Sequence, residues 1–176
     1  MKKGYIQIYT GDGKGKTSAA LGLALRALGN GFKVLFIQFL KSGDSSEISV
    51  VTQFGLNFKV LNYAKLDGFL YELTENGKKI LFDTARAEFE KLLSEMEKLE
   101  CDVLILDEIM GAIHSGIIKT EQMILLMDKK PVGMELVLTG RNAPLELVEK
   151  ADLVTCMQNV KHYADSGVNA RVGIEY

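Results

Sequence analysis

The stretch Thr10-Gly11-Asp12-Gly13-Lys14-Gly15-Lys16-Thr17-Ser18 constrains this chain more than any other. It separates a short strand-like segment, Gly4–Thr10, from a helical one, Lys16–Leu28. Three glycines in five positions let the backbone curl closely around an anion with its N–H groups turned inward. The helix that starts near Lys16 adds the positive end of its dipole. A strand, a glycine-rich turn ending Gly-Lys-Thr and a helix, in that order, are the context of a phosphate-binding loop. In that reading Gly11, Asp12, Gly13, Lys14, Gly15, Lys16, Thr17 and Ser18 surround a polyphosphate, Lys16 reaches its oxygens and the Thr17 hydroxyl ligates Mg²⁺. The strict G-x-x-x-x-G-K-[ST] spacing fails by one residue, because Thr10 stands five before Gly15 and the first glycine is Gly11.

The rest of the chain alternates short apolar runs with helical patterns, the order of a parallel sheet with crossover helices. Further strands are expected at Lys33–Gln38, Phe58–Leu61, Val103–Asp107, Glu135–Thr139 and Leu153–Met157. Several are continuously apolar, as strands covered on both faces are. Gly29-Asn30-Gly31 closes the first helix. Leu81, Ala85, Phe89, Leu92, Met96 and Leu99 fall on one face of a helix from about Gly77 to Leu99. Another helix starts near Pro144 and runs to about Lys150. The fold class is therefore α/β and P-loop NTPase-like, a mostly parallel sheet with helices on both faces. With 176 residues, no repeat and no linker, one domain over 1–176 is expected.

A strand ending Val103-Leu104-Ile105-Leu106-Asp107-Glu108 supplies the second element such a site needs. In a parallel sheet its carboxyl end opens on the side of the loop, so Asp107 or Glu108 can hold Mg²⁺, or merely cap the next helix. Thr139-Gly140-Arg141-Asn142-Ala143-Pro144 follows the next strand, and Arg141 there can meet phosphate oxygens or a surface carboxylate. Lys14 and Lys41 are candidate phosphate neighbours. Arg26, on the helix after the loop, is a nucleotide contact or a solvated face residue.

Composition narrows the class. Lys plus Arg (21) against Asp plus Glu (23) leaves −2, which argues against duplex nucleic acid as a partner. Two cysteines and two histidines offer no metal-ligand spacing. No apolar run approaches the ~20 residues that span a bilayer, and the N-terminus does not read as a signal peptide, so a membrane is not expected and a reducing cytoplasm is. No Ser/His/Asp or Cys/His grouping indicates a covalent protein nucleophile.

Three stretches resemble the ATP:corrinoid adenosyltransferase family: residues 9–20 around the loop, Leu106-Asp107-Glu108, and Leu138-Thr139-Gly140-Arg141-Asn142-Ala143-Pro144. The tail from Val160 through Lys161-His162-Tyr163 to Tyr176 resembles that family's closing segment, and the late first glycine matches it too. The resemblance implies that the 5′-deoxyadenosyl group of ATP moves to the cobalt(I) of a reduced corrinoid, releasing triphosphate. ATP lies reversed in the loop in this family. Lys16 and Arg141 would then stabilise charge on the leaving triphosphate, with Mg²⁺ on Thr17 and a nearby carboxylate. Gly68-Phe69-Leu70-Tyr71 looks like the segment whose aromatic pair displaces cobalt's lower ligand, Tyr71 standing where familiar members carry tryptophan. Met110 takes a place where a polar residue is expected, and the segment after Lys41 looks shorter than usual. An electron-donor protein and a homodimer are implied by the family alone. A P-loop nucleoside or small-molecule kinase and a non-catalytic ATP-dependent corrinoid-binding module are the competing expectations.

Overall fold

The computed structural model describes residues 1–41, 46–51, 53, 55, 57–63, 65 and 72–174. Six strands lie among them: β1 (Ile6–Thr10), β2 (Val34–Phe39), β3 (Phe58–Tyr63), β4 (Val103–Asp107), β5 (Glu135–Thr139) and β6 (Leu153–Cys156). They form one sheet in the order β3-β2-β4-β5-β1-β6, and every pairing is parallel. The helices are α1 (Lys16–Gly29), α2 (Ser46–Val51), α3 (Glu75–Glu95), α4 (Ile109–His114), α5 (Thr120–Asp128) and α6 (Leu145–Lys150). None is long and apolar enough to cross a membrane, among the described residues.

Successive strand residues point to opposite faces, so one apolar run feeds two cores. Val34 and Phe36 of β2 pack with Ala20, Leu21 and Ala24 of α1, and with Ile105 and Val137. Leu35, Ile37 and Phe39 point the other way, into a cluster with Phe89 and Leu92 of α3 and Met123 and Leu126 of α5. β2 and β4 are buried along their whole length, which is why their sequences are nearly all apolar. The α/β class with helices on both faces is therefore as the sequence predicts.

The edges differ. Among the described residues β6 pairs only with β1, and all four of its residues are exposed, so its apolar run does not mark a strand covered on both faces. α3 starts at Glu75, ahead of the expected Gly77, because the Thr74 side chain accepts a hydrogen bond from the Gly77 N–H at 3.1 Å and caps the first turn. Its last turn tightens into a 3-10 segment, Met96–Lys98. Pro144 is the residue before α6 and not its first helical residue. α2, α4 and α5 have no counterpart in the sequence expectations.

Phe89 is fully buried on α3, whereas Ile80 on the same helix is 60% exposed. Phe89→Ala should therefore cost about 3–5 kcal/mol of unfolding free energy, and Ile80→Ala should stay within about 0.5 kcal/mol, as read from chemical denaturation. Burial pushes the Cys101 thiol up to about 12, while Cys156 is exposed. Iodoacetamide near pH 8 should alkylate Cys156 first and reach Cys101 only in denaturant, as peptide mass spectrometry would report.

Candidate nucleotide site

Because all six strands run parallel, the turns that follow them gather at one edge of the sheet. The loop after β1 sits between the ends of β5 and β6, its paired neighbours. Gly11 has φ 97°, and a Cβ there would lie 2.3 Å from the Met157 carbonyl oxygen; one on Gly13 would lie 2.7 Å from that of Gln158. The Gly13 N–H donates to Met157 O at 2.8 Å, and the Met157 N–H to Thr10 O at 2.8 Å. The chain after β6 thus presses on the loop at Gly11 and Gly13. Gly15, at φ 114°, leads into α1 with no side-chain cap and no acidic residue in the first turn. The first-turn N–H groups of α1 are consequently not taken by a capping side chain, and an anion can receive them.

Lys16 is only 7% exposed. Its ammonium donates to the carbonyls of Gly11 at 2.7 Å and Gly13 at 2.9 Å, tying the loop to its own exit. Burial lowers its pKa from the usual lysine value; Glu108 opposes that shift and the Arg141 guanidinium adds to it. Asp12 and Asp107 also hold it up.

The centre of the site is the fully buried Asp107 at the end of β4. Its Oδ1 accepts from the hydroxyls of Thr17 at 2.9 Å and Thr139 at 2.6 Å. Its Oδ2 faces the Lys41 ammonium at 2.6 Å, and that ammonium also donates to Thr17 Oγ1 at 3.1 Å. Thr139 Oγ1 in turn accepts from the Glu108 N–H at 3.0 Å. A hydroxyl and a carboxylate oxygen therefore converge on one position that already carries positive charge. Hard oxygen donors of this kind fit Mg²⁺.

A cleft of about 720 Å³ opens over the loop, lined by Lys14, Gly15, Lys16, Thr17 and Ser18, by Leu21 and Leu25 of α1, and by Lys41, Val51 and Glu108, with Gly173 and Ile174 from the tail. Lys14 donates to the Tyr163 hydroxyl at 3.2 Å and to Ile174 O at 2.9 Å, and Arg171 stacks 4.9 Å from the Tyr163 ring centre. Exposed Asp12 and Arg141 flank the loop closely enough to act on Lys16. Arg26 does not join them: it is exposed in the last turn of α1, ten residues and hence about 15 Å along the helix from Lys16. Phe69 and Tyr71 lie outside the described residues. Met110 is fully buried, and a Cβ on Gly140 would approach its own Cβ to 2.6 Å; an apolar residue stands there because it packs under the turn after β5.

Several residues gain importance only from the structure. Thr139 shares Asp107 with Thr17. Gln38, paired in register with Asp107 and Asn62, is 1% exposed, and neither of its side-chain polar atoms has a partner among the described residues. A glutamine inside the run Val-Leu-Phe-Ile-Gln-Phe was the signal available for it. Tyr163 reaches the loop from about 150 residues away, and no local pattern marks that.

Comparison with known proteins agrees with this geometry. Residues 2–176 match the family model described as ATP:corrinoid adenosyltransferase BtuR/CobO/CobP. The chain is 32% identical to the corrinoid adenosyltransferase of Escherichia coli K12 over 178 residues, covering 99% of this chain and 87% of that protein. It is 32% identical to corrinoid adenosyltransferase CobA of Salmonella typhimurium LT2, with the same coverage. The Pseudomonas aeruginosa corrinoid adenosyltransferase is 31% identical, over 99% of this chain and 85% of its own. With its loop, its buried strand-end carboxylate and a match along almost its whole length, the chain belongs to the ATP:corrinoid adenosyltransferase family.

Proposed function

We propose that this protein transfers the 5′-deoxyadenosyl group of ATP to the cobalt of a reduced corrinoid. The observation that carries the reading is the convergence of Thr17, Lys41 and Asp107 beside a loop that also buries Lys16, in a chain of this family. The cobalt(I) electron pair forms the Co–C5′ bond as the C5′–O5′ bond breaks, and that bond's electrons leave on triphosphate. The metal is the nucleophile, which agrees with the lack of any covalent nucleophilic grouping in the sequence.

What the protein must then do is hold the triphosphate and offset the charge that builds on it. The loop N–H groups between Gly11 and Thr17 grip the oxygens, apart from that of Gly13, which Met157 O takes. Lys16 exchanges its two carbonyl partners for phosphate oxygens, and Arg141 approaches from the turn after β5. Asp12, Lys14 and Ser18 line the tail of the nucleotide. Thr17 and Asp107, with Glu108 beside them, are the residues that would hold Mg²⁺; when bound, the ion supplies further neutralisation of triphosphate charge. Phe69 and Tyr71 take the corrinoid in this reading, and Arg26 reaches only a part of the ligand distant from the loop. The cobalt must arrive already reduced, so a one-electron donor acts before this step.

Anaerobic incubation with ATP, Mg²⁺ and chemically reduced corrinoid should yield intact triphosphate and a light-sensitive cobalt–carbon product, whereas ADP would point to γ-phosphoryl transfer. Lys16→Ala should lower the rate about a hundredfold or more, the effect of removing one well-placed donor worth ~3 kcal/mol, while the circular dichroism spectrum stays native. Unchanged turnover would remove the loop from the mechanism. Phe69→Ala should make turnover depend on a stronger reductant, so assays across a series of reductant potentials should separate it from the parent protein; equal activity throughout would reject the aromatic pair.

A further inference from the structure

Lys41 does more at this site than line it. Its ammonium lies 2.6 Å from Asp107 Oδ2 and 3.1 Å from Thr17 Oγ1, the two side chains that would hold a divalent cation. The Thr17 hydroxyl donates its proton to Asp107 Oδ1 and accepts from Lys41 with a lone pair. That lone pair is the one a metal would need. Lys16, the other ammonium nearby, is turned away onto the carbonyls of Gly11 and Gly13. Lys41 is thus the cation that meets Asp107 in a direct ion pair, among the described residues.

The backbone delivers it there at a cost. Leu40, which follows β2 directly, has φ 56°, a left-handed conformation that a leucine rarely adopts. Gln38 of β2 is in register with Asp107 of β4, so from the bend just beyond β2 the Lys41 side chain reaches the end of the neighbouring strand.

We infer that Lys41 is a positioning residue that keeps the cation position between Thr17 and Asp107 filled until the nucleotide brings its own metal. The ammonium and a divalent ion exclude one another there, because two positive charges cannot share the same carboxylate and hydroxyl at contact distance. The protein on its own therefore takes up free metal poorly. The Mg²⁺–ATP complex displaces Lys41, and the released ammonium moves about a side-chain length onto the polyphosphate. Metal uptake is in this way coupled to nucleotide. The inference rests on the reading of Thr17 and Asp107 as the metal-holding pair.

The test is binding of Mn²⁺ to the full chain, followed without nucleotide by the electron paramagnetic resonance signal of free Mn²⁺ and with ATP by the spectral change that the protein adds to a protein-free Mn²⁺–ATP control. Without nucleotide, Lys41→Met and Lys41→Gln should each bind Mn²⁺ about tenfold or more tightly than the parent, because removing the competing charge leaves Asp107 to be neutralised by the metal. Lys41→Arg should keep the parent's weak binding. Adding Asp107→Asn to Lys41→Gln should abolish the gain. A merely structural role for Lys41 would leave Mn²⁺ affinity unchanged or lower it, and either result in a folded variant overturns the proposal. So does tight binding of Mn²⁺ by the nucleotide-free parent. Should ATP fail to promote Mn²⁺ uptake even in the parent, the assignment of Thr17 and Asp107 as the metal pair falls instead. Glutamine retains an amide donor for Asp107, so it preserves the test if the methionine variant does not fold.

Discussion

A carboxylate with no exposure to water has to be neutralised where it stands, and the site is built around that demand at Asp107. Burying a charge costs several kcal/mol unless it is paired and its lone pairs are used. Two hydroxyls and one ammonium meet the requirement, drawn from α1, β5 and the turn after β2. These elements are far apart in sequence and adjacent only because the sheet order places β4 between β2 and β5. The carboxylate therefore fixes the loop helix, the neighbouring strand and Lys41 relative to one another before any nucleotide arrives.

The backbone carries strain in the same place. Among the described residues, the non-glycine residues with positive φ are Leu40, Glu108 and Asn142. Each follows a strand end: Leu40 after β2, Glu108 after β4 and Asn142 in the turn after β5. Such conformations cost of order 1–3 kcal/mol each, and here the packed sheet beneath them holds the geometry. Glu108 shows how: its N–H is taken by Thr139 Oγ1, so the residue after the buried carboxylate is pinned to the next strand, where it lines the cleft. His114 secures the third turn, its Nε2 lying 2.8 Å from Asn142 O. The strained turns and the buried carboxylate share one edge because parallel strands send all their carboxyl ends there.

How far the sequence reveals this depends on the range of the interaction. β4 and β5 are legible to the residue, since an apolar run bounded by polar residues is a local signal, and so is the turn Gly29-Asn30-Gly31 that ends α1. The short helices α2 and α4, six residues each, offer too few turns for a periodicity to show. α5 buries Met123, Leu126 and Met127, but its nine residues give only about two and a half turns of pattern. Asp107 can be picked out because a charge ends an apolar strand. Its partners Thr139 and Lys41 cannot be paired with it from sequence, because that pairing follows from strand order. Arg26 shows the opposite limit: it is near the loop in sequence, and the rise of α1 sets it about 15 Å along the helix from Lys16.

The displaced first glycine has a physical account once the neighbours are known. At position 10, where the strict motif has glycine, a hydroxyl is used: Thr10 Oγ1 accepts from the Ala143 N–H at 3.2 Å and so ties the glycine-rich loop to the turn bearing Arg141. At position 11 a side chain cannot fit, because the backbone is left-handed and Met157 O would lie 2.3 Å from a Cβ. Gly13 is under the same pressure from Gln158. Two of the three loop glycines are therefore required by the chain after β6 as much as by any anion. That chain continues through Tyr163 and Arg171 to Ile174, where it meets Lys14 and the cleft. The loop and the tail constrain each other over a sequence distance that no motif spans, so the spacing of the glycines records the contact between them.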